Sequence, residues 1–230
     1  MQKDLSFAAL SYLQEHYVVV ADTLEKLSLL QNELFDFIDL DPPFPESEFS
    51  HATYNDFLNT LCSEAFRLAK PNSFVVLWQK PQDFLFAQAS LEYTGWRTCH
   101  IPFLWTWFGS STLSSTSTQL TNSYAMALYA YKGSPKLSLN NNSNVFVYPE
   151  VPVMKKIHAD EKPLNLMKEI LATFCSPGSM ILSPFLGSGV TLLAAATLHM
   201  HAMGFDNVQE NKDNFVKKLV NGWNSYIKES

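Results

Sequence analysis

GSMILSPFLGSGVTLLAAATLHMHAMGFD, residues 178–206, is the stretch from which the fold of this chain is read. It opens with a short apolar run, Gly178 to Leu182, followed by a glycine-bearing turn from Ser183 to Gly189. An Ala/Leu-rich run from Val190 to His199 comes next, and then a second apolar run, His201 to Asp206. Short apolar runs bounded by turn residues read as buried strands, and the longer Ala/Leu-rich segment reads as a helix. A strand–turn–helix–strand unit belongs to a mostly parallel sheet covered by helices on both faces, an α/β class.

Working outward, a final helix is expected from about Gln209 to Tyr226, and another over Lys162–Phe174 with proline near its start. The same alternation fills the first half of the chain. Tyr17–Val20 and Leu34–Leu40 read as buried strands separated by a helix that starts at Asp22 and Thr23. The second strand ends at Asp41-Pro-Pro-Phe44, where two prolines without an N–H stop any regular ladder. A polar loop (Pro45–Thr53), a helix (Tyr54–Leu68), a turn at Pro71–Ser73, a strand (Phe74–Trp78) and a helix from Pro81 to near Gly95 follow. Two extended segments, Trp96–Trp107 and Tyr124–Tyr131, flank a Ser/Thr-rich stretch, Ser110–Ser123, expected to be a mobile loop. Gly133–Pro135 reads as a turn and the Asn run at 140–144 as a surface loop. Residues 1–14 add an N-terminal helix, and with no linker or internal repeat the whole of 1–230 reads as one domain.

The bulk numbers agree with one well-cored domain. The chain has 230 residues, 47% apolar and 17% charged, which is a globular composition. No apolar run reaches the roughly 18–20 residues that cross a bilayer, and the start, Met1-Gln-Lys-Asp-Leu5, lacks the cationic and apolar regions of a signal peptide. A cytoplasmic protein without a membrane association is expected. Three scattered cysteines, Cys62, Cys99 and Cys175, have no metal-ligand spacing and read as reduced packing residues. No metal site is expected; His199 and His201, at a helix–strand junction, read as structural. Net charge is −6, against the basic face usual for gripping phosphates. Either charge is segregated on the fold, or a basic partner subunit or a homodimer supplies the grip. Lys155–Lys156 and Lys212, Lys217, Lys218 read as solvated clusters.

Two turns carry chemistry, and each follows an apolar strand. Ligands of doubly wound sheets sit at the carboxyl ends of strands, so both turns belong on the functional edge. In Ser183–Gly189, Gly187 and Gly189 permit a tight turn and close backbone approach to a ligand. The helix behind them offers free N–H groups. Asp206, at the end of the next strand, is placed to accept from both ribose hydroxyls of an adenosine cofactor. The glycine pair alone also suits plain turn chemistry; the acid beyond it turns the reading toward a nucleoside cofactor. In Asp41–Phe44, a flipped base with an amino group would find two acceptors, the Asp41 carboxylate and the Pro42 carbonyl, and a ring at Phe44 to stack on. An acidic strand end with a structural proline turn is the competing reading.

Together the two motifs resemble the amino-group DNA methyltransferases, in the permuted order called class β, where Asp-Pro-Pro-aromatic precedes Phe-x-Gly-x-Gly. Here Asp41–Phe44 comes first and Phe185–Gly189 far later. His158-Ala-Asp-Glu-Lys-Pro163 resembles the family's segment ahead of the cofactor loop, and Tyr17–Asp22 its strand whose terminal acid faces the cofactor adenine. The likeness runs from about residue 15 to residue 215. It implies a Rossmann-like, S-adenosylmethionine-dependent fold with a mostly parallel seven-stranded sheet and circularly permuted motif order. It implies an enzyme that methylates a base amino group in DNA, as in restriction–modification. Asp41, Pro42, Pro43 and Phe44 would hold the base. Phe185, Gly187, Ser188 and Gly189 would line the cofactor loop, with Asp206 on the ribose and Asp22 on the adenine. His158 and Lys162 would lie near the methionine end, although a surface-loop histidine and a solvated lysine at a helix start are competing readings.

The chain departs from the family in ways that keep alternatives open. Ser183 stands where the family usually has Asp, which weakens or reroutes the contact to the methionine ammonium. Asp206 stands where Glu is frequent. Only about 134–157 is left for target recognition, too little to read several base pairs through the major groove. Asp at position 41 favours adenine N6, since relatives acting on cytosine N4 more often carry Ser. A catalytically silent subunit of a larger complex, or an enzyme acting on RNA or single-stranded DNA, are the alternatives. Phe103, Trp105, Trp107 and Phe108 would be stacking surfaces in the last case and core residues otherwise.

Overall fold

The computed structural model describes residues 18–20, 22–43, 51–108, 118, 120–139 and 143–226. The expected helix over 1–14, Tyr17, Phe44, most of the Ser110–Ser123 stretch and Asn140–Asn142 lie outside the described residues. Among the described residues nine strands join one sheet: β1 (Val18–Val20), β2 (Phe35–Leu40), β3 (Ala69–Gln79), β4 (Arg97–Thr98), β5 (Phe103–Thr106), β6 (Tyr124–Lys132), β7 (Val145–Val147), β8 (Met180–Ser183) and β9 (His201–Asp206). The helices are α1 (Thr23–Ser28), α2 (His51–Leu68), α3 (Phe84–Tyr93), α4 (Leu164–Phe174), α5 (Val190–Thr197) and α6 (Gln209–Tyr226).

The strand order is β1-β9-β8-β2-β3-β6-β5-β7, with β4 pairing β6 off that path. Five of the eight pairings are parallel and three, all made by β6, are antiparallel. Seven strands form the sheet expected from the sequence. The short β4 and β7 are additions, the one cut from the extended segment ahead of Pro102, the other carried by Phe146 stacking edge-on to Phe103 at 5.5 Å.

Alternation along the central strands sorts the core into two layers. Phe37, Val76, Trp78 and Ile181 face one cluster with Leu166, Met167, Ile170 and Leu171 of α4, Leu192 and Leu193 of α5, and Phe215 of α6. Ile38, Leu40, Val75, Leu77, Leu182 and Phe205 face the other, with Leu27 of α1, Leu58, Leu61 and Leu68 of α2, and Ala87 and Leu91 of α3. Strands covered on both faces explain why Phe74–Trp78 of β3 reads as a continuous apolar run rather than an alternating one.

From β8 the sheet extends through β9 to β1, and from β2 it grows the other way through β3. The order therefore reverses between β8 and β2, which lie side by side with Phe37 opposite Ile181 and Ile38 opposite Leu182. A crevice opens beyond the carboxyl ends of strands at such a reversal. Ser183 closes β8 and Asp41 follows β2, so both motif turns open into it.

Several boundaries differ from expectation. Helix α2 begins at His51, inside the supposed polar loop. Strand β3 begins at Ala69 and absorbs Pro71–Ser73 as an irregularity: register jumps from Phe35 opposite Ala69 to Phe37 opposite Phe74. Asn72 there has φ 63° and its side-chain oxygen accepts from the Ser134 N–H at 2.8 Å. The helix opened by Pro81 starts as a 3₁₀ turn, Pro81–Asp83. Helix α5 stops at Thr197 because His199 takes φ 56°. Lys218 is not solvated as expected: its side chain is 7% exposed and paired with Glu161, 2% exposed. Phe103 and Trp105 are buried core, Trp107 packs against that core, and Phe108 is exposed.

Candidate active site

At the crevice the structure holds a cavity of about 680 Å³. Asp22, Asp41, Pro42, Pro43, His158, Lys162, Ser183, Phe185, Gly187, Ser188 and Asp206 all line it. Gly189 does not line the cavity, and Phe44 lies outside the described residues. Two turns far apart in the chain, together with the segment ahead of α4, thus meet around one space.

The glycine turn is held from behind. Gly187 and Gly189 have φ 50° and 71°, values that side-chain-bearing residues rarely adopt. The close approach at Gly189 is to the protein's own ring rather than to the cavity: a Cβ there would lie 2.1 Å from Phe215 Cδ2. At Gly187 a Cβ would lie 3.6 Å from His158 Nδ1, so the His158 ring covers the turn. Asp206 fixes the turn from β9. Its Oδ2 accepts from the Gly187 N–H and from Asn211 Nδ2, both at 3.0 Å, and its Oδ1 accepts from the Val208 N–H at 2.9 Å. Thr23, at the start of α1, donates its hydroxyl to the Pro184 carbonyl at 2.8 Å. Asp22 caps α1, its Oδ1 accepting from the Glu25 N–H at 3.0 Å, and also faces the cavity.

At the other end stands Asp41. The Lys162 ammonium donates to its Oδ2, and the same Nζ lies 4.3 Å from the Trp78 ring centroid, a cation–π geometry. Lys162 is therefore a buried partner of Asp41, not a solvated residue at a helix start. Glu161 beside it accepts from the Ile157 N–H at 2.8 Å and pairs with Lys218 of α6, which pins this segment to the last helix.

Sequence reasoning missed Asp39. It lines the cavity, is 3% exposed, and accepts from Trp78 Nε1 at 3.0 Å and from the Thr191 hydroxyl of α5 at 2.6 Å. Burial pushes its carboxyl above the ordinary range; the Lys162 charge opposes the rise most strongly. Its signal was the alternation of β2, which puts Phe37, Asp39 and Asp41 on one side. Thr191 and Asn211 were also missed, since a threonine in a first helical turn and an asparagine past an acid carry no pattern. The cavity wall as a whole is acidic: Asp22, Asp39, Asp41, Asp160 and Asp206 stand against Lys80 and Lys162.

Known proteins share this fold. The DNA methylase family model matches residues 119–217. Type II methyltransferase M.HindIII of Haemophilus influenzae is 39% identical over 66 residues, a match that covers 29% of this chain and 21% of that protein. The chain thus spans about a fifth of that relative. Among solved structures, the M1.HpyAVI–SAM complex superposes with a TM-score of 0.75 at 23% identity, covering 89% of this chain and 98% of that one. The cytosine-N4-specific PvuII DNA methyltransferase superposes with a TM-score of 0.70 at 15% identity, covering 89% and 92%.

Proposed function

We infer that this chain, a member of the amino-group DNA methyltransferase family, transfers a methyl group from S-adenosylmethionine to the exocyclic amino group of a base in DNA, with adenine N6 as the target. One observation carries the reading: the Asp41–Pro43 turn and the Ser183–Ser188 turn, on adjacent strands at the order reversal, line a single cavity.

The residues fit that cofactor by their chemistry. A volume of about 680 Å³ lies within the range of roughly 300–1,000 Å³ usual for small-molecule sites. Asp206 has one lone-pair direction still open, on Oδ1, to accept from one ribose hydroxyl, and Asp22, just past the β1 residue that pairs with Asp206, would serve the adenine ring. The acidic wall suits a ligand that carries positive charge on its sulfur and on its amino group. When bound, S-adenosylmethionine would supply a methyl carbon made electrophilic by the sulfonium, the electrons of the broken carbon–sulfur bond staying on sulfur as a neutral thioether.

The protein's part is acceptance and positioning. Asp41 and the Pro42 carbonyl each accept one amino hydrogen of the base, which leaves the nitrogen lone pair available for the new bond. The displaced proton leaves along the hydrogen bond to Asp41. Lys162 holds that carboxylate in place. Phe44 would provide the stacking ring expected from the sequence. The fold is common to a cytosine-N4 enzyme, so the choice of adenine rests on Asp at position 41.

Strand β7 draws Val145–Val147 out of the segment available for target recognition and into the sheet. That favours a base already unpaired, which avoids the cost of unstacking. The experiment is incubation with methyl-labelled cofactor and duplex DNA, single-stranded DNA or RNA, then digestion to nucleosides. Label in N6-methyladenine, lost in Asp41→Ala, is expected. Label confined to N4-methylcytosine moves the target, and no transfer to any polymer overturns the enzymatic reading.

A further inference from the structure

We propose that Asp39 receives the ammonium group of the cofactor's amino-acid tail. The proposal rests on the S-adenosylmethionine reading above and names a residue for the ammonium contact that Ser183, standing where the family usually has Asp, weakens or reroutes.

Of the other acids of the cavity, Asp160 is exposed and three already hold groups of the protein itself. Asp41 is paired with Lys162, Asp22 caps α1, and Asp206 clasps Gly187, Asn211 and Val208. Asp39 differs in kind. Its two hydrogen-bond donors, the Trp78 indole and the Thr191 hydroxyl, are both neutral, one on each oxygen. A carboxylate offers about four acceptor sites, so each oxygen has one left. The group is buried, yet it lines the cavity.

A carboxylate withdrawn from water with only neutral donors is costly to keep. An asparagine could keep the indole bond on its oxygen and donate its amide to a turned Thr191 hydroxyl, without carrying a charge. Burial accordingly raises the Asp39 pKa, and the Lys162 charge does not cancel the rise. A cation arriving in the cavity would offset it.

The position is also right. Strands β2 and β8 pair at Phe37–Ile181 and Ile38–Leu182. Continued by one residue, that register sets Asp39 beside Ser183, and both line the cavity between the glycine turn and Asp41. The residue closing β8 is a serine, so at this level of the wall the carboxylate comes from β2.

Calorimetry with two neutral-sulfur ligands tests the assignment. S-adenosylhomocysteine carries the ammonium tail; 5′-methylthioadenosine keeps the nucleoside thioether and lacks it. Asp39→Asn should weaken S-adenosylhomocysteine by about 10-fold or more, the scale of a hydrogen bond to a charged group, and leave methylthioadenosine within about 2-fold. Adding Ser183→Asp to that variant returns a carboxylate to the neighbouring strand and should recover most of the lost affinity. Equal weakening of both ligands, or of neither, overturns the proposal, the first by showing a merely structural role. Wild-type protein that binds neither ligand would overturn the cofactor reading itself, a result distinct from normal wild-type binding with an indifferent Asp39→Asn.

Discussion

Lys162 and Asp41, 121 positions apart in the chain, form an ion pair in which the lysine side chain is 9% exposed. The pair joins the segment ahead of α4 to the end of β2, and the Trp78 ring beneath Nζ fixes the lysine from below. Lys162→Met keeps the aliphatic stem and removes the charge, so Asp41 loses its ion-pair tether to the segment ahead of α4. Single-turnover methyl transfer should fall by about 10²-fold, the effect of misplacing a reacting group by about 1 Å. S-adenosylhomocysteine affinity should change by less than a few-fold. An equal fall in both would put Lys162 on the cofactor instead.

Gly189 has no room for a side chain. A methyl group there would meet Phe215 at 2.1 Å while the backbone holds φ 71°. Left-handed backbone costs an ordinary residue roughly 1–2 kcal/mol, and overpacking about 1–3 kcal/mol more. Urea unfolding of Gly189→Ala should show a loss of about 2–5 kcal/mol by these figures. Combining it with Phe215→Leu should cost less than the sum of the two single changes. Strict additivity would mean that the ring and the glycine do not constrain each other.

Asp206 holds the glycine turn and, on the proposed function, would also meet the ribose. Asp206→Asn keeps the shape but leaves one oxygen where two accepted hydrogen bonds from Gly187, Asn211 and Val208. Hydrogen bonds to a charged group are worth about 1.5–3 kcal/mol, so adenosine-type ligands should bind about 10- to 100-fold more weakly. Methylthioadenosine and S-adenosylhomocysteine should suffer alike, because the loss is at the nucleoside. A selective loss for one of them would contradict the ribose assignment.

The raised Asp39 pKa sets a sign for stability against pH. Burial raises it above 3.8 and Asp41 adds to the rise, while Lys162, Thr191 and Trp78 oppose it. A carboxyl that is harder to ionise in the fold holds its proton more tightly when folded. Its contribution is therefore greatest below the unfolded value and is lost as pH rises through the folded one. Asp39→Asn does not titrate. Without ligand, the unfolding midpoint of wild type minus that of the variant should be most positive in acid and decline toward neutrality. A difference that widens with pH would show that the fold favours the anion.

Much of this architecture was legible because its strands are punctuated. Residues 35–40, 180–183 and 201–206 are mainly apolar stretches ending at Asp-Pro-Pro, at a glycine turn and at an acid. Strand β7 was not legible: three residues in an Asn-rich region carry no period, and Phe146 acquires meaning only through Phe103, far away in sequence. The expected closing turn at Pro71 became part of β3 because the Asn72 side chain anchors the bulge to Ser134, a tertiary bond. Lys218 looked like one of a surface cluster, since nothing local marks Glu161 as its buried partner. Asp39 was hidden by company, an acid inside a strand whose neighbours all announce burial.

Helix α6 presses Phe215 against the glycine turn and ties Lys218 to Glu161, the neighbour of Lys162. One element thus braces both shores of the cavity, while its own contribution to the lining is small. Damage to its inner side would widen the gap between donor and acceptor without touching either, and chemistry would fade before the sheet came apart.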